Sequence, residues 1–325
     1  MLKFKHLFDN PALAEMICRN WISTEDEAKT VKLFRISSNA IYTFQKDGKK
    51  IFCRFSNTEE KNADQTFAEI EYIKYLNLKG LKTAEPVLSS NGRLIETLNT
   101  PWGEYVACSF GEAEGVRLDK AELTDDVVFK YGKKLGEMHR YSADYKPCGI
   151  FRKDYTQILT WIEETLNKHD DNAKAISELG DVRSKLGELP RNERNFGLIH
   201  YDYELDNVFF DSGSETLKII DFDDSMYMWY VTDIEQALDN LREEAGAGCF
   251  ESYKAKFIAG YESEYKIDRE IYENRALIFR FINIYGYSRI KRALSESWVN
   301  EPKWMSELRI YLQKALEKKT DFFKL

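Results

Sequence analysis

Four residues between His200 and Asp221 have the types and spacing for metal-assisted phosphoryl transfer: His200, Asp202, Asn207 and Asp221. Asp202 and Asn207 obey the spacing D-x-x-x-x-N, and Asp221 ends the apolar run Leu217-Lys218-Ile219-Ile220. Moving a phosphoryl group to a hydroxyl needs one carboxylate to orient that hydroxyl. It also needs an amide oxygen and a second carboxylate to hold magnesium. Mg2+ prefers oxygen ligands and keeps several waters, so two protein ligands suffice. On this reading Asp202 is the catalytic carboxylate, Asn207 and Asp221 are the metal ligands, and His200 braces the loop. Each residue alone has a plainer reading as an ordinary loop side chain. The combination, with a hairpin between its halves, carries the assignment.

A nucleotide's phosphates also require a cation. Arg54, on a third strand, and Glu69, on the following helix, have the types for the ion pair that sets such a cation in kinases. Ser37-Ser38-Asn39 separates two apolar-rich runs, and the backbone N–H groups of Ser38 and Asn39 are candidates to cap phosphates. No G-x-x-x-x-G-K-[ST] and no G-x-G-x-x-G occurs, which removes the P-loop and Rossmann readings.

These residues require a particular order of elements. Val31–Ile36, Ile41–Phe44 and Ile51–Phe55 read as strands, the last two joined at Asp47-Gly48. Phe67, Ile70, Ile73 and Leu76 mark a helix over Ala63–Lys79, with Gly80 as its stop. A second turn signal, Asn91-Gly92, predicts a hairpin from Val87-Leu88 to Arg93–Ile95, and Glu104–Phe110 supplies a fifth strand. Beyond Phe110 the pattern turns helical: a helix capped by Thr124, two more over Tyr155–Lys168 and Ala173–Leu186, and two over Ile234–Glu243 and Phe250–Tyr265. Val208–Ile220 reads as a short hairpin. The expected fold is α+β and bilobal. Residues 1–110 form a small lobe of antiparallel sheet plus one helix, and residues 111–325 form a larger helical lobe carrying the catalytic loop and acceptor site.

Composition agrees with a globular enzyme. A chain of 325 residues suits two domains, and 43% hydrophobic residues can build both cores. A net charge of −8 argues against a nucleic-acid partner, and the acidity suits a cationic substrate or simple solubility. Five scattered cysteines form no disulfide framework and no zinc motif. The opening residues lack the apolar core of a signal peptide and no run reaches bilayer length, so a cytoplasmic protein with no membrane partner is expected, as monomer or homodimer.

With these residues assembled, the chain resembles the aminoglycoside phosphotransferase family, whose relatives include choline kinases and bacterial homoserine kinases. The resemblance spans roughly Arg35 to Leu238 and is carried by His200-Tyr201-Asp202-Tyr203-Glu204-Leu205-Asp206-Asn207 and by Ile220-Asp221-Phe222-Asp223-Asp224. It implies a protein-kinase-like fold, ATP and Mg2+ as cofactors, and a small-molecule hydroxyl acceptor. By the same resemblance Asp202 is catalytic, Asn207 and Asp221 bind magnesium, and Glu69 pairs with Arg54 at the phosphates. Gly111 and Ala113 lie in the adenine-facing hinge, and Asp233 braces the catalytic loop. Two positions depart from the family. Tyr201 stands where glycine is usual, and Tyr203–Asp206 replaces a smaller filler, so the acceptor's identity stays open. Alternatives on the same fold are a protein serine/threonine kinase and a binding module with little turnover.

Overall fold

A computed structural model describes residues 2–170 and 172–323. After two short helices, α1 (Pro11–Cys18) and α2 (Glu25–Ala28), the chain builds β1 (Lys32–Ile36), β2 (Ala40–Lys46) and β3 (Lys49–Asn57). Asp47 and Gly48, at φ 50° and 73°, make the left-handed turn that their sequence predicts for the β2–β3 hairpin. Helix α3 (Ala63–Leu78) follows, its first turn held by Asn62, whose side chain accepts the Gln65 N–H. Gly80, at φ 90°, lets the chain leave that helix.

Three strands complete the sheet: β4 (Pro86–Val87), β5 (Ile95–Thr100) and β6 (Gly103–Gly111). The sheet has six strands, not the expected five. Its order is β1-β2-β3-β6-β4, with β5 also on β6. The Asn91-Gly92 hairpin is a correction. Val87 pairs with Ser109 and Ile95 with Cys108, so β4 and β5 run in line along one edge of β6. Residues 88–94 loop out of what is nearly one strand. The turn forms, with the Ser89 N–H on Arg93 O at 2.8 Å, but the partner strand is β6.

The larger lobe begins with β7 (Val116–Arg117), α4 (Asp125–Ala143), α5 (Tyr155–His169) and α6 (Ala173–Glu188). Three small strands, β8 (Phe196–Ile199), β9 (Val208–Asp211) and β10 (Thr216–Ile219), precede β11 (Met226–Trp229), which pairs with β8. The two helices expected over 234–265 are one, α7 (Val231–Glu264), of 34 residues. The glycine-containing stretch between them reads as a break, yet one helix runs through it. Then come α8 (Arg269–Glu273), α9 (Arg275–Ala293) and α10 (Lys303–Thr320).

Helices α4 and α7 touch backbone to backbone. A Cβ on Gly132 would meet Phe257 O at 1.9 Å, and one on Gly260 would meet Phe129 O at 2.0 Å. This seam fixes α7, and hence Asp233 at its start, beneath the segment from His200 to Asn207. At the other end of the molecule Phe4 packs with Ile290, Met305 and Leu312, so the first residues lie on α9 and α10 and not only on the sheet. No helix among the described residues is long and apolar enough to cross a membrane.

Candidate active site

The segment from His200 to Asn207 is built on one buried carboxylate. Asp233 accepts the His200 N–H through Oδ2 at 2.8 Å and the Tyr201 N–H through Oδ1 at 2.8 Å. Its Oδ2 also meets His139 Nε2 at 3.1 Å. Tyr201 sits at φ 67°, a left-handed backbone that tyrosine adopts only under constraint. This is the position where the family has glycine, and the two charge-assisted bonds to Asp233 offset the strain. The Tyr201 ring is buried against Tyr285 of α9, with centroids 5.3 Å apart.

His200 is fully buried and kept neutral, because burial lowers its pKa against the pull of Asp233. Its Nδ1 accepts the Asp202 N–H at 3.2 Å and its Nε2 faces Ile220 O at 2.9 Å, which assigns the proton to Nε2. It therefore joins the loop to the strand end carrying Asp221. Asn207 donates its amide to Asp202 O and to Asp202 Oδ2, both at 2.9 Å. That orientation leaves the Asn207 Oδ1 oxygen for another partner. Burial pushes the Asp202 carboxyl well up, with Asp224, Glu204 and Asp221 adding to the rise and Arg289 opposing it.

Asp221 is the second non-glycine residue near the site in left-handed backbone, at φ 61° and ψ 63°. Ile220 before it is clamped through its N–H to Asn207 O at 2.9 Å, and Phe222 after it is buried against His200 and Tyr72. Burial pushes the Asp221 carboxyl up while Arg54, 3.6 Å away, pulls it down. A carboxylate so placed, with an amide oxygen nearby, is a hard oxygen donor set of the kind Mg2+ takes.

From the sheet, Arg54 grips Glu69 with two bonds, Nη1 to Oε1 at 2.9 Å and Nη2 to Oε2 at 2.6 Å. Burial opposes the charge on Glu69, but Arg54, with Arg152 and Lys61 behind it, outweighs that and lowers the carboxyl. Arg54, Glu69, Asn207, Asp221, Gly111 and Ala113 all line one cavity of about 320 Å3 between the lobes. Phe34, Phe52, Ile73 and Phe222 give it apolar walls, suited to a flat heterocycle. The Gly111 N–H is engaged by Glu85 O at 3.0 Å, which leaves the Ala113 backbone as the freer hinge group.

Ser38 and Asn39 are not among the residues that line this cavity. Ser38 lines a second cavity of about 400 Å3, toward α5 and α9. Asn39 is buried, taking the Ser56 hydroxyl at 2.8 Å and donating to Asp223 Oδ2 at 3.0 Å. In the run after Asp224, Met226, Met228, Trp229 and Tyr230 belong to the core, at most 3% exposed.

Three charged residues of this region escaped sequence reasoning. Lys61 lies against Asp223, and burial brings its ammonium down to about 8. Arg289, from α9, meets Asp224 at 2.8 Å. Arg152 donates its Nε to Ser225 O at 2.8 Å and braces the same segment. None belongs to a local motif; each is brought in by packing between distant segments.

Residues 30–267 match the model of the phosphotransferase enzyme family. The amicoumacin kinase of Bacillus subtilis (strain 168) is 26% identical over 277 residues, 81% of this chain and 79% of that protein. The homoserine kinase of Neisseria meningitidis serogroup B is 30% identical over 197 residues, 59% of this chain and 60% of that protein. In fold, the chain is similar to an amicoumacin kinase solved with AMP-PNP, Ca2+ and Ami, at a TM-score of 0.77 and 19% identity, covering 96% of this chain and 94% of that one. A microcompartment-associated aminopropanol kinase has the same architecture at a TM-score of 0.67 and 17% identity, covering 94% and 95%.

Proposed function

Because the chain belongs to the phosphotransferase enzyme family and is a small-molecule kinase of it, we propose that it transfers the γ-phosphoryl of ATP to a hydroxyl of a small amine-bearing metabolite, with Mg2+. The observation that carries this reading is a single cavity lined at once by Arg54, Glu69, Asn207 and Asp221. In it the sheet's cation lies beside a metal-type ligand, Arg54 being 3.6 Å from Asp221, so positive charge and oxygen donors meet at one end of a cleft with apolar walls.

Asn207 Oδ1 and the Asp221 carboxylate would hold magnesium, which supplies positive charge to the phosphates when bound. Arg54, kept in place by Glu69, adds a second positive group on the sheet side. Asp202 orients the acceptor hydroxyl and accepts its proton as the phosphoryl departs, and Asn207 fixes the Asp202 carboxylate by its amide. Asp233 and His200 hold that loop in its left-handed turn.

An amine on the acceptor is supported by two things. Like charges from Asp206, Glu243 and Asp239 add to burial in pushing Glu204 up, so an ammonium there would relieve an excess of acid beside Asp202. The relatives' names also point to hydroxyl compounds that carry nitrogen. We place the enzyme in the cytoplasm, where ATP is available.

The test is ADP release screened over amino alcohols, hydroxy amino acids, sugars and aminoglycosides, repeated with Asp202→Asn. Acceptor-dependent release should appear with an amine-bearing alcohol and fall by about 10²–10⁴-fold in the variant, while nucleotide binding persists. Release that ignores the Asp202 change would remove its role. An enzyme that phosphorylates only lysate proteins would make the acceptor a protein.

A further inference from the structure

Asp223 and Asp224 come directly after the metal-type carboxylate and touch segments far away in the chain. Asp223 takes the Asn39 amide at 3.0 Å, lies against Lys61, and has Arg54 at 3.8 Å. Asp224 takes Arg289 Nη1 at 2.8 Å, and Nη2 of that guanidinium reaches Ser38 Oγ at 3.5 Å. Both carboxylates of the large lobe therefore end on one turn of the small lobe, residues 37–39. One route is direct through Asn39; the other is relayed by Arg289.

The turn itself has spare donors. The Ser37 N–H is taken by Asn39 O at 3.0 Å, whereas the N–H groups of Ser38 and Asn39 have no hydrogen-bond partner among the described residues. Successive free N–H groups on a tight turn make an anion-binding concavity. Of its two strands, β2 adjoins β3, which carries Arg54. Such a concavity works only if the turn is held at the right height over the Asp221 segment, and β1 is an edge strand.

We propose that Arg289 is a positioning residue for phosphoryl transfer: it couples Asp224 to Ser38, so that the 37–39 turn is held with its free N–H groups on the terminal phosphates of the nucleotide. The Asn39–Asp223 contact is the second tether of the same turn. Arginine suits the task because its fork presents separate donors in fixed geometry, one for Asp224 and one for Ser38. The side chain is further steadied over the Tyr285 ring, with its Cζ 5.5 Å from the centroid. Three residues on, Arg292 grips Glu60 at 2.7 Å, so α9 meets the small lobe at two points.

This inference rests on the kinase reading above, and its test separates the two. Affinities for AMP, ADP and AMP-PNP with Mg2+ are measured by calorimetry on the wild type, Arg289→Gln and Arg289→Lys. The glutamine variant should lose about tenfold for AMP-PNP, less for ADP, and stay within about twofold for AMP. Its kcat should fall while the acceptor KM holds, and lysine should restore part of both. Unchanged AMP-PNP affinity, or an equal loss for all three nucleotides, overturns the proposal. Should the glutamine variant not fold, the lysine variant must still show losses graded by phosphate number. A wild type that fails to bind AMP-PNP rejects the kinase reading itself; a wild type that binds, with an ungraded variant, rejects only the role of Arg289.

Discussion

Two arginine–glutamate pairs in this molecule look alike in isolation. Arg54–Glu69 is bidentate, with side chains 8% and 1% exposed. Arg280–Glu178 is also bidentate, at 2.6 and 2.7 Å, with side chains 10% and 1% exposed. What separates them is the surroundings. Arg280 joins α9 to α6, adds Asp181 at 2.6 Å, and has two carboxylates in direct contact. Arg54 stands in a cavity wall with Asp221 and Asp223 at 3.6 and 3.8 Å, too far to be hydrogen-bonded, and with a cysteine thiol at 3.5 Å. A buried ion pair is weak evidence for either stability or function taken alone. Asp223 has Lys61 and the Asn39 amide, but Asp221, near Arg54 without a hydrogen bond to it, is the carboxylate that calls for a further positive partner.

The comparison breaks if the two pairs respond alike. Glu178→Ala leaves Arg280 buried with half its acid partners, and should cost about 3 kcal/mol or more of stability. In a domain of this size that is a melting point lower by roughly 10 °C. Activity per folded molecule should stay within about twofold, since the pair is remote from the cleft. Differential scanning calorimetry and ADP release at low temperature read the two separately. Loss of turnover at full folding would mean that α6 and α9 transmit more to the site than a scaffold does.

Glu69→Gln is the complementary change. Size is kept and the charge that orients Arg54 is removed, so kcat/KM for nucleotide should fall about 100-fold, near 2.7 kcal/mol of transition-state stabilisation. Stability should fall less than in Glu178→Ala, because Arg54 can turn to Asp221 and Asp223. Steady-state kinetics beside melting curves decides it. Equal melting losses in both variants with intact kinetics would place Arg54–Glu69 among the structural pairs.

What the sequence could reveal follows from range. Asp202, Asn207 and Asp221 lie on one short hairpin unit, so their spacing alone brings them together. Arg54 and Glu69 sit on adjacent elements, a strand and the helix after it, and their pairing follows from the strand–helix order. The β2–β3 turn was legible because Asp47-Gly48 has few alternatives to a left-handed turn. Asn91-Gly92 is just as strong a turn signal, yet which strand pairs with β5 depends on β6, beyond any local pattern. Arg289 and Ser38 are 251 residues apart, and nothing near either one announces the other. The α4–α7 seam was invisible for a similar reason. Gly132, Gly136 and Gly260 read as helix-weakening residues until the helices are seen in backbone contact.

A final, smaller effect contrasts the small-lobe pair with the buried histidines of the large lobe. His139 has Nδ1 on Tyr261 OH at 2.9 Å and Nε2 on Asp233, and burial lowers its pKa from the ordinary 6.5 despite Asp233. His200 is lowered by burial as well. In the unfolded chain both bind protons near pH 6.5, and in the folded chain only at lower pH. Between those values the unfolded state holds more protons, so stability is full above about pH 6.5 and drains as pH falls. Glu69 behaves differently: its carboxyl is lowered below 4.5, so its contribution persists until pH drops beneath that value. The large lobe should therefore loosen first on acidification, and Arg54–Glu69 only later. Asp202, with its raised carboxyl, acts in the opposite sense to the histidines, so the informative quantity is a difference between variants. His139→Asn should flatten the fall in melting temperature between pH 7 and 5.5 by a few degrees, equivalent to roughly 1 kcal/mol. The same slope in variant and wild type would show that His139 exchanges no proton on unfolding, and that Asp233 holds the catalytic loop without any acid-sensitive partner.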